Sequence, residues 1–461
     1  MNNKSRLIEN LSRDYIKEYP GAKRELERAN KYLINGGSHT MRLFEPAPFR
    51  VVKAGGSCVT DSDGHRLLDF WQGHYANILG HNPPLITETL ARGLENGYGL
   101  HTGITENLQT DYAALLLELI CAEKIRFTAS GALADMYSVM LARAFTGRQL
   151  ILKAGGGWQG AHPLTLKGVS YRNGYDHGES EGLSPGELES VIVTLYNDPE
   201  DLSEKFREYG DSIACLIIEP WMGMGGFMGS TPEYLRTARE LTQQSGAILI
   251  FDEIISGFRF CAGGVHQLYG VQPDLSTYAK IIGGGMPLAA VAGRDDLMKL
   301  CSPGSQNRVK FDGGTFSAHP SALLAGITLV KYLVEHEKEI YPRLGMLGEK
   351  MRRGAEEAFA REGIYVKCTG YGNESVSGSS LGMINFPLQE ETDLSSPGQV
   401  WNPEICDVVM REKALKLAFL LEGVHVMHGL GVLSTEHTEE DLDWFFSACE
   451  GAARRIQEGF K

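Results

Sequence analysis

Three polar side chains that can do chemistry end short apolar runs in the middle of the sequence. Glu219 ends CLIIE, Asp252 ends AILIFD and Lys280 ends LSTYAK. In an open parallel sheet, ligands bind at the carboxyl ends of the strands. Burying a carboxylate or an amine there is costly unless it meets an opposite charge or its pKa shifts. We therefore expect these three residues to converge on one ligand site.

The pairing of Lys280 with Asp252 points to pyridoxal 5'-phosphate as the ligand. An amine whose pKa is lowered by burial is a good nucleophile toward an aldehyde, which is how lysine forms a Schiff base. A nearby aspartate can hold the cofactor's pyridine nitrogen in its protonated form. These two requirements match the chemistry of this cofactor, and no other cofactor or metal is expected.

The sequence also contains candidates for the cofactor's phosphate and ring. In 127-FTASGALAD-135, a strand is followed by Ser130, Gly131 and Ala132 and then by a helix whose free N–H groups can bind an anion. In 312-DGGT-315, two glycines precede the hydroxyl of Thr315. Trp158 lies in a glycine-rich loop, where its indole could stack on an aromatic ring.

Six apolar runs alternate with helical stretches and must position these residues. Continuous apolar runs predict strands that are buried on both faces, and therefore a mostly parallel sheet covered by helices. Between two of the runs, Thr231, Pro232 and Gly246 predict the start and the end of a crossover helix. The predicted strands span residues 124–130, 149–155, 189–197, 213–220, 246–253 and 273–280.

The two ends of the chain lack this alternation. Residues 59–70 predict a hairpin that leads into the large domain, whereas the tail has a helical stretch running into a strand at 404–426 and a helix that starts at Thr438. We expect residues 1–60 to belong to a small domain, 61–330 to form the large cofactor domain and 331–461 to form a smaller α+β domain.

Composition limits the class of partner. The chain has 461 residues and a formal net charge of −14 without a basic block, so nucleic acid and anionic membranes are disfavoured and small molecules are favoured. The eight cysteines are scattered without a CxxC pair, and the charged N-terminus lacks the apolar core of a secretory leader. No apolar stretch reaches membrane-spanning length. We expect a cytoplasmic protein with reduced cysteines.

The segments FDEIISGFRF, PDLSTYAKIIGGGMPLAAVAGR and GGTFSAHP resemble the signature of the class III, fold type I pyridoxal-phosphate aminotransferases. The likeness extends from about Gly36 to the C-terminal helix. Within this family, the chain most resembles the glutamate-1-semialdehyde aminomutase-like branch, near the D-phenylglycine and β-amino-acid aminotransferases. The resemblance implies an α/β large domain with a mostly parallel seven-stranded sheet, a smaller α+β domain and a homodimer with shared active sites.

The resemblance also implies roles for single residues. Lys280 would form the Schiff base and shuttle protons, and Asp252 would hold the pyridine nitrogen. Ile254 and Trp158 would cover the two ring faces. The phosphate would be bound by Ser130, Gly131 and Ala132 and, across the dimer interface, by Thr315.

Three further residues keep two interpretations each. Glu219 could anchor a loop or contact the cofactor ring. Arg42 could bind a substrate carboxylate or form a surface ion pair, and His74 could line the pocket or serve packing.

The expected reaction is transfer of an amino group between an amino acid or amine and a keto acid or aldehyde. Two departures from the family pattern keep alternatives open: Ser130 to Asp135 reads Ser-Gly-Ala-Leu-Ala-Asp instead of Ser-Gly-Thr-Glu-Ala-Asn, and Trp158-Gln159-Gly160 replaces Tyr-His-Gly. The first alternative is an intramolecular aminomutase of the glutamate-1-semialdehyde type. The second is a non-catalytic regulatory protein on this fold.

Overall fold

The N-terminal part of the chain forms helices and a small sheet. We describe residues 3–460 of the protein from a computed structural model. The first elements are α1 (Asn3–Glu18), α2 (Pro20–Ala29), β1 (Val51–Gly55), β2 (Cys58–Asp61), β3 (Arg66–Asp69), α3 (Gln72–Tyr75), α4 (Pro84–Glu95) and α5 (Asn107–Leu119). Strands β2 and β3 pair in antiparallel fashion, which confirms the predicted hairpin.

The central part of the chain contains the strands that position the site. Its elements are β4 (Lys124–Thr128), α6 (Gly131–Thr146), β5 (Leu150–Ala154), α7 (Pro185–Glu189), β6 (Val191–Thr194), α8 (Pro199–Tyr209), β7 (Ile213–Ile218), β8 (Trp221–Met222), β9 (Met228–Gly229), α9 (Pro232–Ser245), β10 (Ile248–Asp252), α10 (His266–Tyr269), β11 (Leu275–Tyr278), β12 (Ala289–Gly293) and α11 (Asp295–Met298).

Seven of these strands form one sheet in the order β4-β12-β11-β10-β7-β5-β6. Only β12 runs antiparallel to its neighbours, so the predicted mostly parallel sheet is confirmed. Each of the six predicted apolar runs contains one strand, and β7 and β10 are buried along their whole length. Strand β12 was not among the predicted strands, because its sequence AAVAG is rich in alanine and glycine, which are depleted in strands.

Helix α9 is the predicted crossover between β7 and β10. The Thr231 hydroxyl accepts a hydrogen bond from the Tyr234 N–H at 3.2 Å, and Pro232 occupies the first turn. Gly246 ends the helix with φ +73°, a conformation that favours glycine. These contacts confirm the predicted helix ends, and they set the start of the strand that carries Asp252.

The last part of the chain adds a second, smaller sheet. Its elements are α12 (Pro320–Glu335), α13 (Glu337–Arg361), β13 (Lys367–Thr369), β14 (Leu381–Asn385), α14 (Pro397–Trp401), α15 (Lys416–Leu421), β15 (Val424–His425), β16 (Gly431–Val432) and α16 (Glu439–Phe460). A π-helical segment, Met410–Leu415, leads directly into α15. Strands β13, β14 and β16 form one antiparallel sheet.

The two ends of the chain meet in one sheet. Strand β15 pairs in parallel with β3, with Val424 opposite Leu68. The Tyr19 hydroxyl donates to the Leu420 carbonyl at 2.6 Å, which links the N-terminal helices to α15. Tyr19 thus joins the predicted segment 1–60 to the C-terminal part of the chain, whereas β3 lies outside that segment; the domain bounds stay a prediction.

Two features concern ligands and membranes. Across residues 3–460, no helix is both long and apolar enough to span a bilayer. Within the same range, no group of three or more His, Cys, Asp or Glu side chains is arranged to hold a metal ion.

Replacing Thr231 by alanine should destabilise the protein by about 1 kcal/mol, because one N–H group in the first turn of α9 loses its acceptor. Chemical unfolding followed by circular dichroism measures this change. Thr231→Ser is the matched control, since serine keeps the hydroxyl. Equal stability of the alanine and serine variants would contradict the capping role.

Candidate active site

A cavity of about 570 Å³ opens at the carboxyl ends of β10 and β11. The structure brings all of the candidate residues to this cavity except Thr315. Those that line it are Arg42, His74, Ser130, Gly131, Ala132, Trp158, Glu219, Asp252, Ile254 and Lys280.

Lys280 presents its amine to the cavity from the turn after β11. Within the described part of the chain, this amine makes no hydrogen bond and no ion pair. Lys280 has φ +52°, a left-handed conformation that is uncommon for a residue with a side chain and is concentrated at functional sites. Burial lowers the pKa of Lys280 to about 8, and the negative charges of Asp252 and Glu219 oppose this shift.

The glycines after Lys280 allow close packing behind it. Gly284 has φ +59°, and a Cβ atom there would lie 2.5 Å from the carbonyl oxygen of Ala325 on α12. A side chain at this position would therefore push the turn away from α12 and displace Lys280.

Asp252 lies at the end of β10 and faces the same cavity. One of its carboxylate oxygens accepts a hydrogen bond from the Ile254 N–H at 3.0 Å. Burial, followed by the charge of Glu219, raises the pKa of Asp252 to about 8. A cation bound in front of Asp252 would reverse this shift, so the carboxylate suits a protonated ring nitrogen.

The N-terminus of α6 forms a second wall of the cavity. Ser130 caps the helix, and its hydroxyl accepts from the Leu133 N–H at 3.4 Å. The first turn has no acidic residue, so the positive end of the helix dipole remains available to an anion. A Cβ atom at Gly131 would lie 2.6 Å from Ile254, so glycine lets Ile254 pack against this turn.

Glu219 holds the glycine-rich loop that carries Trp158. Its carboxylate accepts hydrogen bonds from the Trp158 N–H at 2.7 Å, from the Gln159 amide at 3.3 Å and from the Gly223 N–H at 2.9 Å. These contacts support the loop-anchoring interpretation of Glu219. The Trp158 side chain is 40% exposed, which leaves its indole free to cover a bound ring.

Lys153 on β5, which was not among the residues predicted from the sequence, also holds this loop. Its buried ammonium donates to the carbonyls of Gly157 at 3.0 Å and Thr165 at 2.9 Å. Burial lowers the pKa of Lys153 to about 8. The signal was present in the sequence, since a lysine inside the apolar run QLILKAG must bury its charge.

His74 reaches the cavity from an unusual turn. Gln72, Gly73, His74 and Tyr75, the four residues of α3, all have φ between +44° and +67°, so α3 is one left-handed turn and not a right-handed helix. Burial, with the charge of Lys280, lowers the pKa of His74 to about 3, so the imidazole is neutral at neutral pH. A neutral imidazole can both donate and accept a hydrogen bond.

Two further residues that the sequence did not single out hold this turn in place. Asp69 accepts hydrogen bonds from the N–H groups of Trp71 at 3.0 Å and Gln72 at 2.9 Å. The buried Arg259 donates to the carbonyls of Tyr75 and Ile255. Because Arg259 contacts both segments, it fixes His74 relative to the loop that follows Asp252.

Arg42 lies exposed at the mouth of the cavity. Its guanidinium makes no ion pair and no hydrogen bond with any residue in the range 3–460. The ring of His39 packs edge-on against His74 at 5.3 Å, which places the Arg42 segment beside the left-handed turn. Among the described residues Arg42 therefore forms no surface ion pair, and its guanidinium is available to a carboxylate.

Thr315 lies on the surface, outside this cavity. It follows two glycines with positive φ, and its carbonyl accepts a hydrogen bond from the Thr102 hydroxyl at 3.0 Å. The predicted contact of Thr315 with phosphate requires a second protomer, so a single chain does not test it.

The residues around the cavity fit pyridoxal 5'-phosphate on the chemistry they present. They supply an unpaired amine for the aldehyde, a buried carboxylate for the ring nitrogen and a helix N-terminus for the phosphate. Lys280 supplies the amine, Asp252 supplies the carboxylate, and Ser130 caps the helix N-terminus.

Comparisons with known proteins agree with this chemistry. Residues 42–357 match the family described as Aminotransferase class-III. A glutamate-1-semialdehyde 2,1-aminomutase of Methanobrevibacter smithii is 33% identical over 432 residues, which cover 92% of this chain and 96% of that protein.

Two solved structures have the same fold over nearly the whole chain. An omega-transaminase from Sphaerobacter thermophilus superposes with a TM-score of 0.86 at 29% identity, covering 96% of this chain and 99% of that one. A β-phenylalanine aminotransferase from Variovorax paradoxus gives 0.83 at 28% identity, covering 97% and 96%. The expected fold type I architecture is therefore confirmed. The chain belongs to the class III aminotransferase family, whose cofactor is pyridoxal 5'-phosphate.

Proposed function

We propose that this chain is a transaminase that takes an amino group from an amino acid or amine and delivers it to a keto acid or aldehyde. The observation that carries the proposal is the unpaired amine of Lys280, which shares a cavity with the buried Asp252 carboxylate. Burying an amine and a carboxylate costs free energy on folding. A bound cofactor would give the amine an aldehyde to react with and the carboxylate a protonated nitrogen to pair with.

The residues that would hold the cofactor follow from the geometry of the cavity. The N-terminal turn of α6 would bind its phosphate, and Asp252 would keep a proton on its ring nitrogen. Trp158 and Ile254 would enclose the ring. Bound pyridoxal 5'-phosphate supplies an aldehyde that condenses with amines and a ring that accepts electrons when a substrate carbon loses its proton.

Lys280 would move that proton. Because burial lowers its pKa to about 8, far more of its amine is neutral near neutral pH than in an exposed lysine, and the neutral amine can accept a proton from a substrate carbon. The same side chain can then return the proton to a second carbon. The proton-carrying atom is therefore the Lys280 Nζ.

The cavity also suggests which donors fit. Its apolar wall contains Met224, Ile255, Met286, Pro287 and Leu288. A guanidinium at the mouth and an apolar wall inside suit a donor with a carboxylate at one end and an apolar or aromatic side chain. Arg42 would bind the carboxylate through its bidentate fork.

An aminomutase is the second candidate, favoured by the 33% identity to a glutamate-1-semialdehyde 2,1-aminomutase. An aminomutase turns over one substrate without a separate keto acceptor. A transaminase that is given no acceptor stops after one half-reaction. Turnover with and without added keto acid therefore separates the two. A non-catalytic regulatory protein would show no change in cofactor absorbance with any amine.

We further propose a homodimer in which each protomer completes its partner's site. Thr315 precedes Phe316 in the sequence, and its carbonyl accepts a hydrogen bond from Thr102. Leu100 and Ile104 lie two residues before and after Thr102. The side chains of Leu100, Ile104 and Phe316 are exposed in one protomer, a pattern typical of an interface.

We also propose a cytoplasmic location. The eight cysteines form no disulfide, which is consistent with a reducing compartment.

Replacing Lys280 by alanine should abolish turnover, because Lys280 carries the only amine among the described residues that line the cavity. Stopped-flow and steady-state assays with an amine donor and a keto acceptor measure this loss. Lys23→Ala, which removes an exposed lysine far from the site in sequence, is the matched control. Turnover by the Lys280→Ala variant within about tenfold of the wild type would overturn the assignment.

The rate at which cofactor-free protein takes up pyridoxal 5'-phosphate should rise with pH, with a midpoint near 8 instead of about 10.4, the ordinary lysine value. Neutral Lys280 is the reactive form, so the rate follows its deprotonated fraction. In the Asp252→Asn variant the midpoint should fall, because a charge that raises the pKa of Lys280 is lost. An unchanged or higher midpoint in that variant would contradict this coupling.

Changing Arg42 to glutamine should raise KM for a donor that carries a carboxylate by roughly tenfold or more, since a charge-assisted pair is worth about 1.5–3 kcal/mol. KM for a matched amine without the carboxylate should change little. Initial rates with such a donor pair measure the difference. Equal effects on both donors would show that Arg42 does not bind the carboxylate.

A further inference from the structure

Asp135 is a buried carboxyl group in the same cavity to which the proposed chemistry gives no role. It lies on α6, at the last position of the segment Ser130–Asp135, where the chain has aspartate in place of the asparagine usual in the resembled family. Its side chain is 0% exposed and lines the cavity together with Asp252.

The position of Asp135 is fixed from the sheet. The Thr277 hydroxyl donates a hydrogen bond to Oδ1 of Asp135 at 2.7 Å. Thr277 on β11 is the register partner of Asp252 on β10, and paired strands lie about 4.8 Å apart. The Asp135 carboxyl group is therefore tied to the residue directly beside Asp252.

The other oxygen of Asp135, Oδ2, is buried and has no hydrogen-bond partner among residues 3–460. A buried carboxylate oxygen without a donor is costly. The same oxygen carrying a proton becomes a donor that can serve an acceptor in the cavity. The geometry thus favours the protonated form of Asp135.

Burial and the neighbouring carboxylates raise the pKa of Asp135, whereas Lys280 and the Thr277 hydrogen bond lower it. Asp252 and Glu219 are negative neighbours, whereas Lys280 and the more remote Lys153 are the facing cations. Burial, followed by the charge of Asp252, raises the pKa of Asp135 well above its ordinary value. Burial also raises the pKa of Glu219, but the N–H groups of Gly223 and Trp158 lower it, and Asp135 accepts no N–H donor among residues 3–460; Asp135 is therefore the better proton holder of these two carboxyl groups.

We propose that Asp135 is a neutral carboxylic acid and a positioning residue for Asp252, keeping the single negative charge of the pair on Asp252. An asparagine would offer a neutral donor at the same place, so a protonated aspartate preserves that function with a different group. The inference rests on the proposed function only in that the charge on Asp252 is meant for the cofactor's ring nitrogen.

Infrared spectroscopy of the holoenzyme tests the protonation state without turnover. The wild type minus Asp135→Asn difference spectrum at neutral pH should contain the C=O stretch of a protonated carboxyl group that shifts in D₂O. Thr277→Val keeps the carboxyl group and should move this band, because Oδ1 loses its donor. A difference spectrum with only carboxylate bands, or a band that survives in Asp135→Asn, would overturn the proposal.

Cofactor affinity supplies a second readout. The dissociation constant for pyridoxal 5'-phosphate should stay within about threefold of the wild type in Asp135→Asn, which supplies a neutral donor, and rise about tenfold in Asp135→Leu, which supplies none. Asp252→Asn is the contrasting control, in which the required charge is lost. A loss in Asp135→Asn as large as in Asp252→Asn would show that Asp135 acts through charge.

The two readouts separate this proposal from the proposed function. If Asp135→Asn does not fold, the band shift in Thr277→Val decides the protonation state, and its absence counts against the proposal. If the band and the affinities behave as expected while no amine donor is turned over, the transaminase assignment fails and the assignment of Asp135 stands.

Discussion

The confinement of opposite charges at the ends of two neighbouring strands is the constraint on which the site depends. Asp252 ends β10 and is buried, and Lys280 lies partly buried at the start of the turn after β11. Desolvation raises the pKa of Asp252 and lowers that of Lys280, which favours the neutral form of each. Charges on the surface would affect each other little, whereas charges withdrawn from water respond to every charged neighbour. A bound ring with a protonated nitrogen gives Asp252 its missing counter-charge.

The rest of the structure keeps these two groups in position. Lys280 adopts a left-handed conformation, and the turn that carries His74 is left-handed over four residues, which costs free energy. Arg259 and Asp69 hold that turn by hydrogen bonds to its backbone. Glu219 and Lys153 hold the loop of Trp158 from two sides. Rigid walls of this kind pre-organise a site before substrate binds.

Much of this site could be predicted from the sequence, because strand ends of a parallel sheet meet at one edge. Glu219, Asp252 and Lys280 follow apolar runs, and a regular repeat of strand and helix brings them together. The roles of Asp69 and Arg259 could not be predicted, since they act on a backbone turn whose left-handed form has no local sequence signature. Strand β12 was not predicted because its residues are mostly alanine and glycine. The predicted phosphate contact of Thr315 requires a second chain.

The protonation state of the cofactor's ring nitrogen tests the central claim most directly. Nitrogen-15 NMR of the holoenzyme, loaded with cofactor labelled at the ring nitrogen, reports whether that atom carries a proton. We expect a protonated nitrogen at neutral pH in the wild type and loss of that proton in Asp252→Asn. An unprotonated nitrogen in the wild type would contradict the role of Asp252 on which the site depends.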